Sequence, residues 1–380
     1  MMREHIDRVQ QERNHSVRII MAVLFALFVF FYIVLFQADL IAVMQETWSH
    51  GATHNNPVIT AIIVAAILLL LQTGLRNLFG IYGRWEAFSY VPSFMLLSFF
   101  TDVDTRTFHY HSPTKWIVVL ILSFVLVAVV PYFGRLLRQD RKTFITVLLS
   151  TNFAVFAVSA ILCVALTNHN APLHMELTAF RYADRERVDR VADVGRRSLE
   201  TTPSLSALRN VALCRSGRAG DELFTMTQPY GVDGIMPGRY IRHNTRYGSD
   251  VWERFVGAEP YGGESAMDFC ARLHRSDDSP FSRDLYISAL LLDRRLEEFS
   301  REFPPQMMGD TLAPRHYREA WLLARHQSET VCADYIDSEL EPLLDAFLSI
   351  ADDPDATSVV IDNRRQLAFG KTYWYYYFHQ

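Results

Sequence analysis

Histidines are the residues of this chain whose type and spacing could do chemistry. The chain has thirteen. Six of them fall in three short stretches: His50, His54, His109, His111, His169 and His174. Imidazole together with nearby carboxylate is a donor set for zinc or copper, or for a sensor of pH. His109 and His111 would present both rings on one face of an extended segment. His50 and His54 have a helical spacing, but the turn-forming residues around them argue against a helix there.

No short motif adds weight to a metal or catalytic site. The chain has no H-E-x-x-H sequence, no glycine-rich phosphate loop and no G-x-S-x-G elbow. We therefore interpret most of the histidines as loop residues and keep His109, His111, His50 and His54 as candidate metal ligands. No catalytic residue and no cofactor is predicted, and the sequence favours a function other than catalysis.

Charge divides the chain into two halves. Residues 1–175 carry 12 Lys and Arg against 9 Asp and Glu, whereas residues 176–380 carry 25 against 33. A hydrophobic first half before a charged second half predicts a membrane domain followed by a water-soluble one. The acidic second half argues against nucleic acid as a partner, because phosphate binding needs clustered positive charge. The four cysteines are far apart and predict neither a disulfide framework nor a zinc site.

Five apolar segments are candidates for membrane spans. A crossing helix needs about 20 apolar residues, because the bilayer core is about 30 Å thick. We predict a cytoplasmic segment 1–16 and a membrane domain 17–166 with spans at about 17–36, 58–75, 84–100, 116–133 and 144–166. The third span is the weakest, since its uncharged residues 87–100 cover only about 21 Å as an α-helix. It could instead be a re-entrant or interfacial segment.

The distribution of Lys and Arg favours five spans over four, because cytoplasmic loops are enriched in these residues. With five spans and a cytoplasmic N-terminus, the inner segments hold ten Lys and Arg, and the outer loops hold only Arg106 and Lys115. With four spans the basic stretch 134–143 would face outside and the contrast would disappear. Five spans place the residues after Leu166 outside the cytoplasm.

The second half, residues 175–380, shows the apolar periodicity of helices. Leu205, Leu208 and Val211 line one face of a helix that Thr202-Pro203 begins and Gly217 ends. Less regular helix pairs follow, and Thr357–Ile361 is the one short strand candidate. The predicted fold class is all-α: a five-helix transmembrane bundle followed by a soluble domain of tetratricopeptide-like α-helical hairpins. No strict 34-residue register can be drawn, so an irregular helical bundle is the alternative.

Six consecutive aromatic residues, Tyr373–Phe378, lie close to the end of the sequence. They cannot all face one side of a helix, so some must contact a second surface. Three interpretations follow: a helix packed into the core, a contact with the bilayer headgroups, or a surface that binds a partner. The candidate partner-binding residues are Tyr373, Trp374, Tyr376 and Tyr377.

Three stretches of the second half look familiar: SLSALRNVALCRSGRAGDELF (204–224), LAPRHYREAWLL (312–323) and FGKTYWYYYF (369–378). They resemble an uncharacterised family of Bacteroidales inner-membrane proteins, in which membrane spans precede a tetratricopeptide-like domain. The resemblance implies a Gram-negative inner membrane and a periplasmic second domain, and it implies no activity and no site residue.

Together these observations predict an inner-membrane scaffold or docking protein. It would contact membrane lipid and present its periplasmic helical-repeat domain to a protein partner in the cell envelope. The alternative is a membrane-bound enzyme or metal-handling protein that uses the outer-face histidines.

Overall fold

The structure is a computed structural model. It describes residues 2–49, 52–53, 55–104, 109–110, 113–136, 145–236, 246–277, 279–308, 313–328, 331–352 and 357–379. The chain forms two compact units, Met1–Asn170 and Ala171–Gln380. The regular secondary structure of the described residues is helical except for one antiparallel pair of two-residue strands, β1 (Val103–Asp104) and β2 (His109–Tyr110). The all-α fold class is confirmed at this level.

The first unit is built from long apolar helices. They are α1 (Met2–Phe31), a π-helical segment (Tyr32–Gln37), α2 (Ala38–Trp48), α3 (Pro57–Phe79), a 3-10 helix (Gly83–Tyr90), α4 (Val91–Thr101), α5 (Pro113–Leu136) and α6 (Ile145–Leu166). Asn56 caps α3 by accepting hydrogen bonds from the N–H groups of Val58 and Ile59. Gly80, with φ of 64°, ends α3 in the left-handed conformation.

Four helical stretches of the described chain are long and apolar enough to cross a membrane. They are Gln11–Gln45, Pro57–Phe79, Thr114–Tyr132 and Thr146–Leu166. These helices indicate a membrane protein, and they include four of the five predicted spans. The remaining prediction, 84–100, falls on the 3-10 helix and α4, and α4 has only 11 residues. Pro92 in the first turn of α4 lacks the backbone donor that a helix interior needs, and proline is favoured in a first turn.

The segment Gly83–Thr101 lies inside the first unit. Phe94 is at its centre, fully buried, with its ring 5.0 Å from Phe25, 5.2 Å from Phe28 and 5.1 Å from Phe156. Rings at these distances contribute to a helix interface beyond the area they bury. The segment therefore packs against α1 and α6 through aromatic contacts.

Hydrogen bonds fix the direction of this segment relative to α6. The N–H of Ala87 donates to Asn152 Oδ1 at 2.7 Å. The hydroxyl of Ser98 donates to the carbonyl of Cys163 at 3.0 Å. Farther along, the Thr167 hydroxyl donates to Thr101 at 2.6 Å. The residue numbers of the hydrogen-bonded partners increase together on both elements, so the segment runs parallel to α6 along its length.

The same segment runs antiparallel to α3. Gln72 donates to the Ser89 hydroxyl at 2.7 Å, and Ser93 donates to the carbonyl of Leu68 at 3.0 Å. The partner number on α3 falls as the number on the segment rises. The segment Gly83–Thr101 thus has the direction expected of a helix that alternates with α3 in an up-and-down bundle.

The second unit consists of shorter helices. They are α7 (Ala171–Asp184), α8 (Val188–Asp193), α9 (Pro203–Arg215), α10 (Ala219–Glu222), α11 (Arg246–Val256), α12 (Ala266–Ser276), α13 (Pro280–Leu292), α14 (Leu296–Glu302), α15 (Arg315–Gln327), α16 (Glu341–Ser349), α17 (Ser358–Phe369) and α18 (Tyr373–His379). Four 3-10 helices lie at Leu223–Thr225, Gly231–Ile235, Pro305–Met308 and Ile350–Asp352. Thr202 caps α9 by accepting from the N–H of Leu205 at 3.1 Å, as the sequence predicts.

The short strand predicted at Thr357–Ile361 is wrong, because α17 begins at Ser358. Its β-branched residues favour a strand only weakly, and tertiary contacts decide the outcome. Arg365 lies over the ring of Phe347 at 4.5 Å, and Phe369 contacts the same ring at 5.6 Å. These two residues are four positions apart, which is the spacing that brings side chains onto one face of a helix.

Three helix pairs of the second unit turn at a residue with positive φ. Glu186, Gly217 and Arg294 have φ of 52°, 67° and 59°. At each corner the next N–H donates to the carbonyl five residues earlier, at 2.9 Å: Arg187 to Tyr182, Arg218 to Leu213, and Arg295 to Leu290. This bond is the mark of a Schellman helix ending. The pairs α7–α8, α9–α10 and α13–α14 therefore share one local geometry.

Candidate functional site

The C-terminal helix α18 places three of its six consecutive aromatic side chains in the core of the second unit. Tyr373 and Trp374 are fully buried, and Tyr376 is nearly so. The ring of Phe224 lies 5.0 Å from Tyr373 and 4.7 Å from Tyr376. The ring of Trp374 lies 6.3 Å from Phe347. Three of the four candidate partner-binding residues are thus buried, and Tyr377 packs against the core but is partly exposed.

Glu319 of α15 holds the start of α18. Its carboxylate is fully buried and accepts from the N–H of Tyr373 at 2.7 Å and from Arg315 Nε at 2.9 Å. Nδ1 of His316 lies 3.1 Å from the same carboxylate. The backbone carbonyl of Glu319 also accepts from Trp374 Nε1 at 2.8 Å. A buried charge is tolerated only when it is paired and hydrogen-bonded, and these contacts supply both.

A second hydrogen bond sets the rotation of α18. The Tyr376 hydroxyl donates to the carbonyl of Leu292 at 2.6 Å, at the end of α13. Adjacent residues of a helix point about 100° apart, so the neighbouring Tyr377 faces another direction. Its hydroxyl donates to Gln327 Oε1 at 3.3 Å, at the end of α15. The anchored aromatics therefore position Tyr377 at the surface.

A groove of about 550 Å³ opens where Tyr377 emerges. It is lined by Arg294, Arg295, Leu296, Glu297, Glu298, Arg301, Glu302, Gln327 and Tyr377. Three elements that are distant in the sequence build it: the third helix corner with α14, the end of α15, and α18. Leu296 supplies its aliphatic side chain, and the remaining lining is polar with three cations and three carboxylates. We name this feature the α14–α18 groove.

The charges of the α14–α18 groove form exposed pairs. Arg301 donates to Glu297 at 3.0 Å, and Arg295 donates to Glu298 at 3.3 Å. Arg295 also donates to Asp293 at 2.6 Å, and this hydrogen bond holds the pKa of Arg295 above its ordinary value. Exposed pairs of this kind contribute about 0–1 kcal/mol each. They can therefore be exchanged for the charges of a bound partner at little cost.

The histidines predicted as metal ligands are not brought together by the described part of the chain. His50, His54 and His111 lie outside the described residues. His109 occupies β2, where its backbone pairs with Asp104, and its side chain is not among those described. Among the described residues, no group of three His, Cys, Asp or Glu side chains could hold a metal ion. The four metal candidates stay a prediction.

Sequence reasoning missed a polar cluster inside the first unit. Glu86 of the 3-10 helix is buried, and its Oε1 lies 3.2 Å from Nε of Arg76 in the last turns of α3. Asn152 of α6 is fully buried and donates to the carbonyl of Gly83 at 2.8 Å. The signal was available: Gln72 and Asn152 lie within predicted spans, and polar residues in apolar spans usually serve a function or a contact.

These observations define a class: a helical membrane protein that joins long apolar helices to a second, all-helical unit. The family of unknown function DUF6057 matches residues 6–255 and 262–380. The chain belongs to this family, and the match extends over both units. The predicted membership of an uncharacterised family is thereby confirmed. No curated protein and no solved structure matches the chain.

Proposed function

We propose that this protein is a membrane-anchored scaffold whose second unit docks a protein partner. The observation that carries the proposal is the α14–α18 groove. A buried carboxylate and a set of buried aromatics hold α18 in place, and this leaves Tyr377 beside exchangeable ion pairs. Tyrosine and arginine are the side chains that dominate binding energy at protein interfaces.

The chemistry of the groove fits a polypeptide partner. Its three cations and three carboxylates balance, so neither a strongly acidic nor a strongly basic ligand is favoured. Gln327 and Tyr377 add donors and acceptors of the kind that pair with backbone amides. An extended or helical segment that carries both signs of charge could replace the Arg301–Glu297 and Arg295–Glu298 pairs with its own.

The recurring corner supports a tetratricopeptide-like architecture for the second unit. Stacked helix pairs of that kind form extended surfaces for protein partners. Glu186 and Gly217 are 31 residues apart, close to the 34-residue period, whereas Gly217 and Arg294 are 77 residues apart. We infer a repeat interrupted by the segment that contains α11 and α12, which explains why no strict register appears in the sequence.

We further propose five membrane crossings. As a 3-10 helix, Gly83–Tyr90 rises about 16 Å, and α4 adds about 16 Å. The sum, about 32 Å, matches a hydrocarbon core of about 30 Å. The parallel run beside α6 and the antiparallel run beside α3 agree with alternating crossings. An odd number of crossings, with basic residues inside, puts the N-terminus in the cytoplasm and the second unit in the periplasm of an inner membrane.

A reporter fusion tests the crossings. A phosphatase that is active only in the periplasm, joined after Asn168, should be active. A matched fusion after Phe79, beyond α3, should be inactive because two crossings return the chain to the cytoplasm. Activity of the second fusion, or inactivity of the first, would contradict the five-crossing arrangement.

Site-specific photo-crosslinking tests docking. A photoreactive phenylalanine analogue at Tyr377 should give one defined protein adduct in cells. The matched control is the same analogue at Tyr261, which is 66% exposed and lies outside the groove. Arg295→Glu, introduced into the protein that carries the analogue at Tyr377, should abolish the adduct. Identical adducts from both positions, or an adduct unaffected by Arg295→Glu, would show that the groove does not dock the partner.

A further inference from the structure

The polar cluster of the first unit contains donors that its own residues leave unsatisfied. Tyr90 is fully buried, and among the described residues its hydroxyl has no hydrogen-bond partner. Nε of Arg76 is also without a hydrogen bond, although it lies 3.2 Å from Glu86. A buried polar group left unpaired costs about 1–3 kcal/mol, so such groups usually have a ligand, an ion or a water as partner.

Positive charge collects at the same place. Arg18 and Arg76 both act electrostatically on Glu86 and on the hydroxyl of Tyr90. Two guanidinium groups thus lie within electrostatic range of one carboxylate, so the cations of the cluster outnumber its anions. Arg18 is exposed whereas Arg76 is mostly buried. The cluster therefore contains one arginine at the surface of the unit and one inside it.

Two glycines in the left-handed conformation position these groups. Gly80 and Gly83 both have φ of 64°, and they reverse the chain directly after Arg76 so that Glu86 returns beside it. A Cβ on Gly83 would lie 3.0 Å from Oδ1 of Asn14, so glycine also lets α1 approach this turn closely. The cluster is therefore formed where α1, α3 and the 3-10 helix meet at one end of the unit.

An apolar stripe begins beside Arg18. Ile19, Val23, Leu27 and Phe31 follow one another at four-residue spacing on α1, and all four are exposed. A stripe of this kind faces lipid tails in a membrane helix. The cluster thus joins two features at one end of α1: unsatisfied donors with excess positive charge, and an exposed surface suited to acyl chains.

We propose that this cluster binds the phosphate group of an anionic phospholipid. Arg18 and Arg76 neutralise the phosphate, and the Tyr90 hydroxyl donates to one of its oxygens. Glu86 keeps its contact with Arg76 and fixes the direction of the guanidinium group. Basic pockets between membrane helices bind anionic headgroups in this manner. This inference concerns the first unit and does not depend on docking at the α14–α18 groove.

Lipid binding to the purified full-length protein tests the proposal. Native mass spectrometry would compare phosphatidylglycerol with phosphatidylcholine of the same chain length. We expect phosphatidylglycerol to bind at least about tenfold more tightly, because both lipids present the phosphate but the choline cation of phosphatidylcholine is repelled by the arginines of the cluster. Arg18→Gln should reduce this preference about tenfold, and Tyr90→Phe should weaken the binding of phosphatidylglycerol severalfold. Equal binding of the two lipids would overturn the proposal.

Two further variants distinguish binding at this cluster from binding that depends only on the total charge of the protein. Lys115→Gln removes one positive charge at a residue that pairs with Asp102, and it should leave the preference unchanged. The double variant Arg76→Gln with Glu86→Gln removes both partners together, which avoids leaving a buried charge alone, and it should abolish the preference. An equal loss in Lys115→Gln and Arg18→Gln would overturn the site.

A competition experiment distinguishes lipid from free phosphate. Inorganic phosphate added at the concentration of phosphatidylglycerol should not displace it, because the acyl chains add contacts that the free ion lacks. Displacement would assign the cluster to free phosphate and overturn the lipid proposal. In every variant, protection of the buried Cys163 from thiol reagents would establish that the first unit is folded.

Discussion

The two units of this protein expose different kinds of side chain. In the first, large apolar residues such as Leu70 and Ile161 are exposed, and polar residues such as Asn152 and Ser98 are buried. In the second, Leu208 and its neighbours form the core, and most charged side chains are exposed. Both units are helical, so secondary structure does not cause the difference. The surrounding solvent does, since lipid removes the drive to bury apolar surface and water supplies it.

The buried polar groups of the two units are satisfied in different ways. In the first unit, small hydroxyls bind backbone carbonyls of a neighbouring helix, as Ser93 does with Leu68 and Ser98 with Cys163. In the second unit, Arg318 binds the carboxylate of Asp337 through two nitrogens at 2.7 and 2.9 Å, whereas the buried Arg209 donates to the backbone carbonyl of Gly195 at 3.3 Å. The pairing of Arg318 keeps the pKa of Asp337 below its ordinary value, although burial acts in the opposite direction.

The largest expected effect comes from removing the buried anchor of the second unit. Glu319→Ala leaves Arg315, His316 and the N–H of Tyr373 without their partner, and breaking a buried pair costs about 3–5 kcal/mol. Thiol labelling in denaturant reports each unit separately, because Cys214 is buried in the second unit and Cys163 in the first. Burial raises the pKa of Cys214 to about 12, so labelling in the folded state is slow.

The free energy of unfolding measured at Cys214 should fall and that at Cys163 should not change. The control is Glu297→Ala, which breaks an exposed pair with Arg301 and should cost less than about 1 kcal/mol. A comparable effect of the two substitutions would show that Glu319 is not the anchor of α18.

A matched pair of substitutions tests the solvent argument directly. Leu70→Arg places a charge on an exposed residue near the middle of α3, and Leu367→Arg does the same on α17. A charge at the centre of a membrane helix costs about 2.5–3.5 kcal/mol of insertion, whereas an exposed substitution in water stays within about 0.5 kcal/mol. The inserted fraction of α3 and the Cys214 labelling curve are the measurements. Equal tolerance of both arginines would mean that Leu70 does not face lipid.

A partly buried carboxylate makes the stability of the second unit depend on pH. Burial raises the pKa of Asp284 to about 6 from its ordinary value of 3.8, although Arg283 and a hydrogen bond with Tyr317 act in the opposite direction. The folded state then binds more protons than the unfolded state between about pH 4 and pH 6. The unfolding free energy should therefore fall as the pH rises through this window.

Asp284→Asn should remove that pH dependence. At neutral pH the variant should be more stable by about 2 kcal/mol, less than the full shift implies because the carboxylate is partly exposed and screened. At pH 4 the two proteins should be equally stable within about 0.5 kcal/mol. The measurement is Cys214 labelling in denaturant at both pH values. A stability difference that is the same at pH 4 and pH 7 would rule out titration of Asp284 as its cause.

The sequence predicts those elements that are determined by one local property, such as hydropathy or a residue that begins or ends a helix. Length and hydropathy identified four helices that are long and apolar enough to cross a membrane, and the Thr202 cap and the Gly217 ending identified α9. The segment Gly83–Thr101 was difficult to predict as a membrane span. A hydropathy scan detects helices whose lipid-facing side is apolar. This segment is enclosed by its neighbours, so it carries Glu86, Ser89 and Ser93 where a lipid-facing helix would carry aliphatic residues.

The candidate sites could not be predicted from any short stretch of the sequence, for a related reason. The α14–α18 groove unites Arg294, Gln327 and Tyr377, which are far apart in the sequence and belong to no motif. The polar cluster unites Arg18, Arg76 and Tyr90 in the same way. Two of the three helix corners were also not predicted, because glutamate and arginine seldom adopt positive φ.

The smallest expected effects concern those corners and show whether they are one repeated structure. Gly217→Ala should lower the free energy of unfolding by about 1 kcal/mol, because an added Cβ meets no atom within 4 Å and only the left-handed conformation is penalised. Arg294→Gly should act with the opposite sign. It removes a penalty of about 1–2 kcal/mol and adds an entropic cost of about 0.5–1 kcal/mol, so a net gain of about 0.5 kcal/mol is expected.

Both changes in the free energy of unfolding would be measured by Cys214 labelling in denaturant. The control is Arg301→Gly, inside α14. Glycine there has no strain to relieve, and it should cost up to about 1 kcal/mol of helix stability. Opposite signs at Gly217 and Arg294 would mean that the backbone strain of one corner is a property of all three, as the shared hydrogen bond requires. Destabilisation by Arg294→Gly equal to that of Arg301→Gly would mean that the third corner is held by its side chain, and the tetratricopeptide-like repeat would then lose its main support.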